Sequence, residues 1–363
     1  MKINEKLAQE RCDNNEITIE ITPFDTLFFR DGKPFSRGEE SWADGMFPPS
    51  PSVIYGALRS AYFGHHIDKL KLADGDFDPT KNLKITGTCL KSLKDGFFYL
   101  PLPMDCVKKD NNVVLLSPET VNLKSNYKLD ELFKSDEPVK TISNGLIDDE
   151  QFVGYLSGDI KEFIIMTTED YLVKEPKVGI GRKNQTHTAA NTMLYRVSMQ
   201  RMKEISIIVS FEGLEDLPQV GLMKLGGEGK AVYYRQIDKT NIQPDISITK
   251  KFKLVLTTPA IFDSGWLPYW IDSENNYTGE FNGLELKLTS AIVGKPLSIG
   301  GFDLKAHKPK PMRKAVPSGS VYYFEIINGN SEKVIQSFQQ KAISDNEKNA
   351  REGYGIVHVG GIS

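Results

Sequence analysis

Alternating apolar and polar positions predict the first regular element of the chain. Apolar side chains occupy every second position from Ile17 to Ile21, and Pro23 follows. This period of two residues predicts a half-buried β-strand that ends at the proline. Farther along, Ser50 and Pro51 predict a helix N-cap with proline at the first helical position. The apolar positions after them have helical spacing and predict the buried face Ile54, Ala57, Leu58 and Ala61.

Shorter apolar runs predict more strands in the first half of the chain, around 83–89, 96–100, 204–211 and 231–234. Residues 122–150, in contrast, are acidic, polar and only weakly periodic. Such a composition is typical of a surface segment because it offers little apolar area to bury. We therefore expect 122–150 to be an insertion outside the core.

The pattern of the first strand returns near residue 250. Phe252, Leu254 and Leu256 occupy alternate positions, and Thr258-Pro259 follows them as Thr22-Pro23 follows the first strand. After this strand, the sequence predicts strands at 284–288 and 321–326. A helix with the apolar face Val334, Ile335, Phe338 and Ala342 follows, and then a last strand at 356–359.

This order of elements is the βαββαβ-like pattern of a ferredoxin-like unit. A glycine cluster precedes the last strand of each half, at 226–229 and at 353–355. Two copies of one unit account for both halves. We predict an α+β fold of two tandem ferredoxin-like (RRM-like) units with long loop insertions. The first unit comprises 1–248, with an insertion around 122–150, and the second comprises 249–363.

The composition is that of a globular protein, since 39% of the 363 residues are hydrophobic and 26% are charged. No apolar run approaches the roughly 18 residues of a membrane helix, and residues 1–15 are polar where a signal peptide has an apolar segment. We expect a cytoplasmic protein that does not bind a membrane. Cys12, Cys89 and Cys106 are too few and too scattered for a disulfide framework, and we interpret them as reduced packing residues.

Positive charge is concentrated in two segments, although the net charge of the chain is −3. The first basic segment, 174–203, contains seven Lys or Arg residues and one acid, Glu175. The second basic segment, 300–317, contains five Lys or Arg residues and one acid, Asp303. The net charge argues against a generic nucleic-acid binder, but segregated cations favour a polyanion at two particular places. The alternative is that both segments are loops that only face water.

Both basic segments carry groups that suit single-stranded RNA. GRKNQTHTAANTMLYR, 181–196, combines cations with amides and rings, and such mixtures place charges on phosphates and flat groups against unstacked bases. In HKPKPMRKAVPSGS, 307–320, the prolines keep the chain extended, so the cations suit a phosphodiester backbone that runs alongside. A solvated hinge between strands is the competing interpretation of 307–320.

Cofactor, metal and catalytic motifs are not found in the sequence. The glycine loop LGGEGK, 225–230, lacks the spacing of a nucleotide P-loop and of a dinucleotide fingerprint. Its glycines either bring backbone N–H groups close to a phosphate or serve tight turns. None of the five histidines, His65, His66, His187, His307 and His358, has a second catalytic group at a telling spacing. We predict no cofactor, no metal site and no catalytic residue.

Six segments, taken in order, resemble the third Cmr subunit of type III-B CRISPR effector complexes, a family of the RAMP superfamily. They are ITPFDTLFFRDGKPF (21–35), FPPSPSVIYGALRSA (47–61), VGIGRKNQTHTAANTMLYR (178–196), LGGEGKAVYY (225–234), IGGFDLKAHKPKPMRKAVPSGSVYYFE (299–325) and GYGIVHVG (353–360). The resemblance extends over about 17–360. No single segment is specific, but their combination in this order is highly specific.

The resemblance implies two ferredoxin-like RAMP units and a function in antiviral RNA-guided interference. The implied role is that of a non-catalytic subunit of a ribonucleoprotein, which binds the repeat-derived 5′ handle of the CRISPR RNA. It also implies two protein partners, because such a subunit docks the large polymerase-like subunit onto the backbone RAMP subunit.

The residues that we assign to this function come from the motifs. Those expected to bind RNA are Arg182, Lys183, His187, Arg196, Gly226, Gly227, Gly229, Lys308, Lys310, Arg313 and Lys314. The opening loop, 24–50, connects the first strand to the first helix, and its residues expected to contact RNA or a partner subunit are Arg30, Lys33, Arg37 and Trp42.

Two other functions stay open at the level of sequence. The first is a metal-independent RAMP endoribonuclease that processes CRISPR repeat RNA, since this activity also occurs on paired ferredoxin-like units. Its candidate catalytic group is His187, because this histidine lies in a predicted RNA-binding loop. The second is a scaffold that contacts only proteins, for which the basic segments have no RNA partner.

Overall fold

The computed structural model describes residues 16–30, 42–43, 45–120, 128–160, 162–182, 189–238, 242, 244, 246–303 and 308–362. Its helices are α1 (Pro51–His65), a 3₁₀ helix (Ile67–Leu72), α2 (Asp149–Ser157), α3 (Thr168–Tyr171), α4 (Glu332–Phe338) and α5 (Glu347–Arg351). Most of the remaining regular structure is β-strand. The prediction of a mixed α and β fold is therefore confirmed.

The strands of the first half are β1 (Ile17–Pro23), β2 (Trp42–Ala43), β3 (Lys84–Ser92), β4 (Phe98–Pro101), β5 (Cys106–Lys109), β6 (Asn112–Leu115), β7 (Pro118–Thr120), β8 (Glu131–Phe133), β9 (Gly145–Asp148), β10 (Glu162–Phe163), β11 (Met166–Thr167), β12 (Leu172–Arg182), β13 (Ala189–Met202), β14 (Ile205–Glu212), β15 (Val220–Lys224) and β16 (Ala231–Ile237). Those of the second half are β17 (Lys251–Leu256), β18 (Ile271–Asp272), β19 (Thr278–Phe281), β20 (Leu284–Ile292), β21 (Leu297–Ile299), β22 (Phe302–Asp303), β23 (Lys308–Pro309), β24 (Arg313–Ala315), β25 (Val321–Asn328), β26 (Lys341–Ala342) and β27 (Ile356–Gly361).

Two large antiparallel sheets organise these strands. In the first sheet the order is β11-β9-β4-β3-β14-β1-β16-β15, and in the second it is β18-β19-β20-β25-β17-β27-β26. The first strand of each half is central, because β1 pairs with β14 and β16 while β17 pairs with β25 and β27. The two sheets thus repeat one pattern around their central strands.

The same chain order appears in the middle of both sheets. The four main strands of the first half are, in chain order, β1, β3, β14 and β16, and across the sheet they lie in the order second, third, first, fourth. The four main strands of the second half, β17, β20, β25 and β27, lie in the same order. Helix α1 connects β1 to β3, whereas α4 connects β25 to β27. The first half therefore has its helix in the first of its two crossover connections, and the second half has its helix in the second.

Each sheet packs one face against its own helix. Ile19, Ile21 and Val209 of the first sheet share a buried cluster with Ile54 and Leu58 of α1. The helix begins at Pro51, as predicted, and Ser50 has the extended backbone of an N-cap. Phe252 and Leu254 of the second sheet pack in the same way with Val334 and Phe338 of α4. Burying side chains of this size stabilises the fold by about 1.5–3 kcal/mol each.

The opposite faces of the two sheets are directed toward each other, with α2 in the space between them. A third buried cluster joins Leu100 and Ile147 of the first sheet, Phe152 of α2, and Val255 and Tyr323 of the second sheet. Asp148 caps α2 by accepting from the backbone N–H of Gln151 at 2.8 Å. Each sheet is therefore covered on both faces in its central part.

The first sheet carries polar residues on the face that is directed toward the second sheet. Thr18 and Ser210 are buried there with their hydroxyl oxygens 2.8 Å apart. Glu20 accepts from Ser206 at 2.8 Å and from Arg235 at 2.7 Å. These hydrogen bonds satisfy polar groups that would otherwise be costly to bury.

Two predictions about the elements are wrong. Residues 145–148 form β9, a strand of the first sheet whose Leu146 and Ile147 are buried, so the C-terminal part of 122–150 does belong to the core. The helix predicted to extend to Ala342 ends at Phe338, and Ala342 lies in β26. The chain reverses between them at Gln340, where φ is +53°.

Candidate nucleic-acid interface

The opening loop is attached to a long two-stranded ribbon, which consists of β12 and β13. Near the start of the loop, Leu27 and Gln200 exchange two backbone hydrogen bonds of 2.8 Å. Near its end, β2 pairs with β13 in parallel, with Trp42 opposite Arg196. Both described ends of the opening loop therefore lie along the strand that carries Arg196.

A small apolar cluster fixes the opening loop on the ribbon. The ring of Phe28 is buried against Val197 and Met199 of β13. Arg30 forms a bridge with Gly45, which brings the two ends of the loop together. Residues 31–41 lie outside the described part of the chain. The side chain of Arg30 is exposed at the point where the loop closes.

Ion pairs neutralise several cations of this region. Arg201 and Lys230 both contact the carboxylate of Asp25, at 3.1 and 2.6 Å. The hydrogen bond from Lys230 holds the pKa of Asp25 at about 2. Lys177 pairs with Glu228 at 2.9 Å. These pairs tie the ribbon to the glycine loop and to the opening loop, so they have a structural role.

The glycine loop packs against the opening loop. Gly227 donates its N–H to the carbonyl of Phe28 at 2.8 Å. At Gly226 the backbone has a φ of +77°, and a Cβ there would lie 2.5 Å from the Phe28 carbonyl oxygen. Gly229 has a φ of +63°, but a Cβ there would meet no atom within 4 Å. The contact with Phe28 explains the glycine at 226, while open space remains around Gly229.

The second basic segment lies in one interrupted hairpin, in which β21 pairs with β24 and, inside that pair, β22 pairs with β23. Its four predicted RNA-binding cations, Lys308, Lys310, Arg313 and Lys314, are all exposed. Lys314 donates to Ser298 Oγ at 2.8 Å, and Arg313 Nη1 donates to Asn349 Oδ1 at 3.0 Å. Among the described residues, none of the four forms an ion pair. Their positive charge is therefore not neutralised by a contacting carboxylate.

The opening loop also contacts this interrupted hairpin. Met46, near its C-terminal end, packs against a buried cluster that includes Ile299, Ala315 and Tyr354. The hydroxyl of Tyr354 lies 2.9 Å from Ser52 Oγ in the first turn of α1. The loop thus connects the ribbon of the first half to the interrupted hairpin of the second half.

Two buried polar residues beside the second basic segment were missed by the sequence analysis. Asn349 of α5 is 5% exposed, and Glu352, immediately after α5, is 8% exposed. Burial raises the pKa of Glu352, while the charges of Lys310, Lys348 and Arg313 oppose that shift. No signal in the sequence indicates this, because the polar run 344–352 has the composition of a surface loop.

The other predicted site residues are described only in part. Arg182 ends β12, and Trp42 lies in β2, but their side chains are not described. Lys33, Arg37, Lys183 and His187 lie outside the described residues. The prediction that these six residues contact RNA or a partner therefore stays a prediction.

The described residues contain no group of three or more His, Cys, Asp or Glu side chains that is placed to hold a metal ion. His358 is buried in β27, and burial lowers its pKa to about 4. Burial raises the pKa of Cys89 to about 12, which leaves it a protonated thiol. Of the helices in the described part of the chain, none has the length and apolar character needed to cross a membrane.

Comparison with protein families gives a match over nearly the whole chain. The family described as "CRISPR-associated protein (Cas_Cmr3)" matches residues 19–361. The chain belongs to the Cas_Cmr3 family. The resemblance inferred from the six segments is thereby confirmed. No curated protein sequence matches the chain.

Solved structures also resemble this Cas_Cmr3 chain. One is a chain of a cryo-EM structure of the type III-B Cmr-β bound to cognate target RNA, with 19% identity, a TM-score of 0.52, and coverage of 94% of this chain and 96% of that chain. Another belongs to the type III-B Cmr-β bound to cognate target RNA and AMPPnP, with 18% identity, a TM-score of 0.49, and coverage of 84% and 86%. The first of these likenesses shows a shared fold.

Proposed function

We propose that this Cas_Cmr3 chain is a non-catalytic subunit of a type III-B CRISPR effector complex and binds the 5′ handle of the CRISPR RNA. One observation carries this proposal. The exposed cations of the second basic segment, which form no ion pair among the described residues, lie on the interrupted hairpin that the opening loop connects to the ribbon of the first basic segment. Exposed cations without a carboxylate partner suit the phosphates of single-stranded RNA, which positively charged grooves bind.

We further propose that the fold consists of two tandem ferredoxin-like RAMP units, 1–248 and 249–363. The repeated strand order in the two sheets supports this division, because second-third-first-fourth is the order that a βαββαβ unit produces. In each half, only one of the two crossover connections contains a helix. The glycine clusters at 226–229 and 353–355 precede β16 and β27, the fourth main strands of the two units.

The packing of the sheets favours loops over the sheet surface as the place where RNA binds. RRM domains stack bases on the open face of their sheet. Here the face of each sheet that lacks α1 or α4 contributes to the cluster around α2, with Ile147 on one side and Tyr323 on the other. The central strands therefore offer no open face, which favours the interrupted hairpin, the ribbon and their connecting loops as the RNA surface.

The residues that we propose to bind the RNA are those that the sequence motifs predict. The cations Arg182, Lys183, Arg196, Lys308, Lys310, Arg313 and Lys314 contact phosphates, His187 contacts a base or phosphate, and Gly226, Gly227 and Gly229 bring backbone close to the RNA. Among the three glycines, Gly229 is the best placed because its surroundings are open.

The same region is proposed to serve protein partners. The opening loop, with Arg30, Lys33, Arg37 and Trp42, contacts either the RNA or a subunit of the complex. The partners are the large polymerase-like subunit and a backbone RAMP subunit. Because the opening loop spans from the ribbon to the interrupted hairpin, a protein bound to it would lie beside the RNA.

The first test is a binding assay with guide RNA that carries or lacks the 5′ repeat handle. The purified chain, alone and with its large-subunit partner, is titrated at several salt concentrations. We expect tighter binding to the RNA with the handle and no cleavage in EDTA. Equal affinity for both RNAs would reduce the chain to a generic backbone binder or scaffold, and cleavage would identify an endoribonuclease instead.

A charge variant tests the surface itself. The double substitution Lys310→Ala with Arg313→Ala should weaken binding of handle RNA. It should also lower the slope of log K against log salt by about 0.7 for each phosphate that the variant no longer binds. The matched control is Lys94→Ala with Lys333→Ala, which removes the same charge from exposed positions of other elements. If both double variants change affinity and slope equally, the second basic segment is not the RNA surface.

A further inference from the structure

Arg313 differs from Arg59, Arg201 and Arg235 in the kind of group that holds it, because each of those three contacts a carboxylate. Arg59 contacts the carboxylates of Asp74 and Asp78, at 3.0 and 2.6 Å. Arg313 is exposed, and its Nη1 instead donates to the side-chain amide of Asn349 at 3.0 Å. A carboxylate neutralises the arginine that it holds, whereas a neutral amide oxygen holds the guanidinium and leaves its charge intact.

Burial and backbone hydrogen bonds hold Asn349 in position for this contact. Its side chain is almost completely buried, and it lies in the middle of α5, whose N-cap Asn346 accepts from the backbone N–H of Lys348 at 2.9 Å. The backbone carbonyl of Asn349 accepts from Tyr354 at 3.0 Å. A guanidinium has five N–H donors, and the single bond to Asn349 leaves others for a bidentate contact with phosphate.

The charges around this contact also favour an anion. The charges of Lys310, Lys348, Arg313 and Arg351 all act on the one buried carboxylate of Glu352. Arg313 forms no ion pair with Glu352 in the part of the chain that the structure describes. The local excess of positive charge is therefore available to a phosphodiester from outside.

From this geometry we propose that Asn349 is a positioning residue, which orients the Arg313 guanidinium for a phosphate of the RNA bound at the second basic segment. The inference rests on the proposed function. Asn349 does not touch the RNA itself. It acts by removing conformational freedom from Arg313 before binding, so that less freedom is lost when the complex forms.

A double-mutant cycle on RNA binding tests this mechanism, because two residues that act through one contact give non-additive effects. We expect Asn349→Ala to weaken binding of handle RNA about fivefold and Arg313→Ala to weaken it about tenfold. In the Arg313→Ala background, Asn349→Ala should have no further effect. Full additivity of the two substitutions would overturn the proposal, since Asn349 would then act independently of Arg313.

Lys314 provides the matched control. It is the next residue, carries the same charge and is also exposed, but it bonds to Ser298 rather than to Asn349. The pair Asn349→Ala and Lys314→Ala should therefore be additive. Non-additivity with both cations would show that Asn349→Ala disturbs the whole hairpin, and this result too would contradict a specific role for Arg313.

Arg313→Lys gives an independent test if Asn349→Ala does not fold. It keeps the positive charge but cannot present a planar guanidinium to the amide and a phosphate together, so its loss of affinity should approach that of Arg313→Ala. Wild-type affinity in this variant would overturn the inference. Failure of the wild-type chain to bind handle RNA is a different result, because it would count against the proposed function itself.

Discussion

His358 illustrates how a single buried residue links stability to pH. It is 4% exposed in β27, its Nδ1 lies 3.2 Å from the side-chain amide nitrogen of Gln339, and the ring of Phe152 packs edge-on against it. Burial lowers its pKa to about 4 from an ordinary value of 6.5. The folded state therefore requires a neutral imidazole, while the unfolded chain takes up a proton as the pH falls.

The stabilising contribution of neutral His358 should be present above pH 6.5 and be lost as the pH falls to about 4. The size of this loss follows from the pKa difference and is roughly 3 kcal/mol. We expect His358→Gln to flatten this part of the stability profile. Urea unfolding of both proteins at pH 7, 5.5 and 4 measures it, and parallel profiles would contradict the assignment.

At the scale of residues, the sequence predicts charge better than it predicts contacts. Lys308, Lys310 and Arg313 were identified from the proline-spaced pattern, and their exposure agrees with that pattern. Asn349 could not be found in this way, because a buried asparagine next to an arginine looks like any polar surface residue until the fold brings 313 and 349 together.

The glycine loop gives a prediction at the scale of an element. Gly226→Ala forces a side chain onto a φ of +77° and places its Cβ 2.5 Å from the Phe28 carbonyl oxygen. We expect a loss of about 1–3 kcal/mol, because both strain and displacement of the opening loop contribute.

Gly229→Ala is the matched control for that substitution. It introduces a side chain at a similar φ of +63° but into open space. It should therefore cost only the conformational part, about 1 kcal/mol. Chemical denaturation of the two variants compares them directly, and equal losses would mean that the contact between Gly226 and Phe28 does not hold the opening loop in place.

Elements were predictable where local signals and tertiary packing agree. Helix α1 has a proline at its first position and a regular apolar face, and both are present in the structure. Strand β9 has only four residues and lies inside an acidic segment, so it has little periodicity of its own. It forms because it pairs with β4. The prediction that the helix reaches Ala342 was wrong for the same reason, because Ala342 lies in β26, which pairs with β27.

At the scale of the whole molecule, the repeat of one pattern in two halves was visible in the sequence, but the packing of the halves was not. Central strands β1 and β17 each begin an alternating run, which is a local signal. The polar face of the first sheet, with Thr18 and Glu20, is indistinguishable in sequence from a solvent-exposed face. In the structure both residues are buried, and Glu20 accepts hydrogen bonds from Ser206 and Arg235 of neighbouring strands.

A buried charge cluster between the two sheets provides the last prediction. Asp105 is completely buried and accepts hydrogen bonds from Tyr155 at 2.6 Å and from Tyr323 at 2.7 Å. Lys253 of β17 is 3% exposed, and its Nζ lies 3.4 Å from the centre of the Tyr155 ring. Burial lowers the pKa of Lys253, and the charge of Asp105 opposes this shift. The charge of Asp105, in the first half, thus helps to keep Lys253, in the second half, protonated.

Asp105→Asn should destabilise the protein by about 1–3 kcal/mol, because an amide is a weaker acceptor for the two buried tyrosine hydroxyls and no longer opposes the desolvation of Lys253. Combining it with Lys253→Met should restore much of the loss, since the double variant buries no unpaired charge. Lys251→Met is the control on the same strand. It breaks a part-exposed pair with Glu131 and should cost no more than about 1 kcal/mol. Chemical denaturation of the four variants decides the matter: if Asp105→Asn and Lys253→Met are additive, the cluster does not couple the two halves through charge.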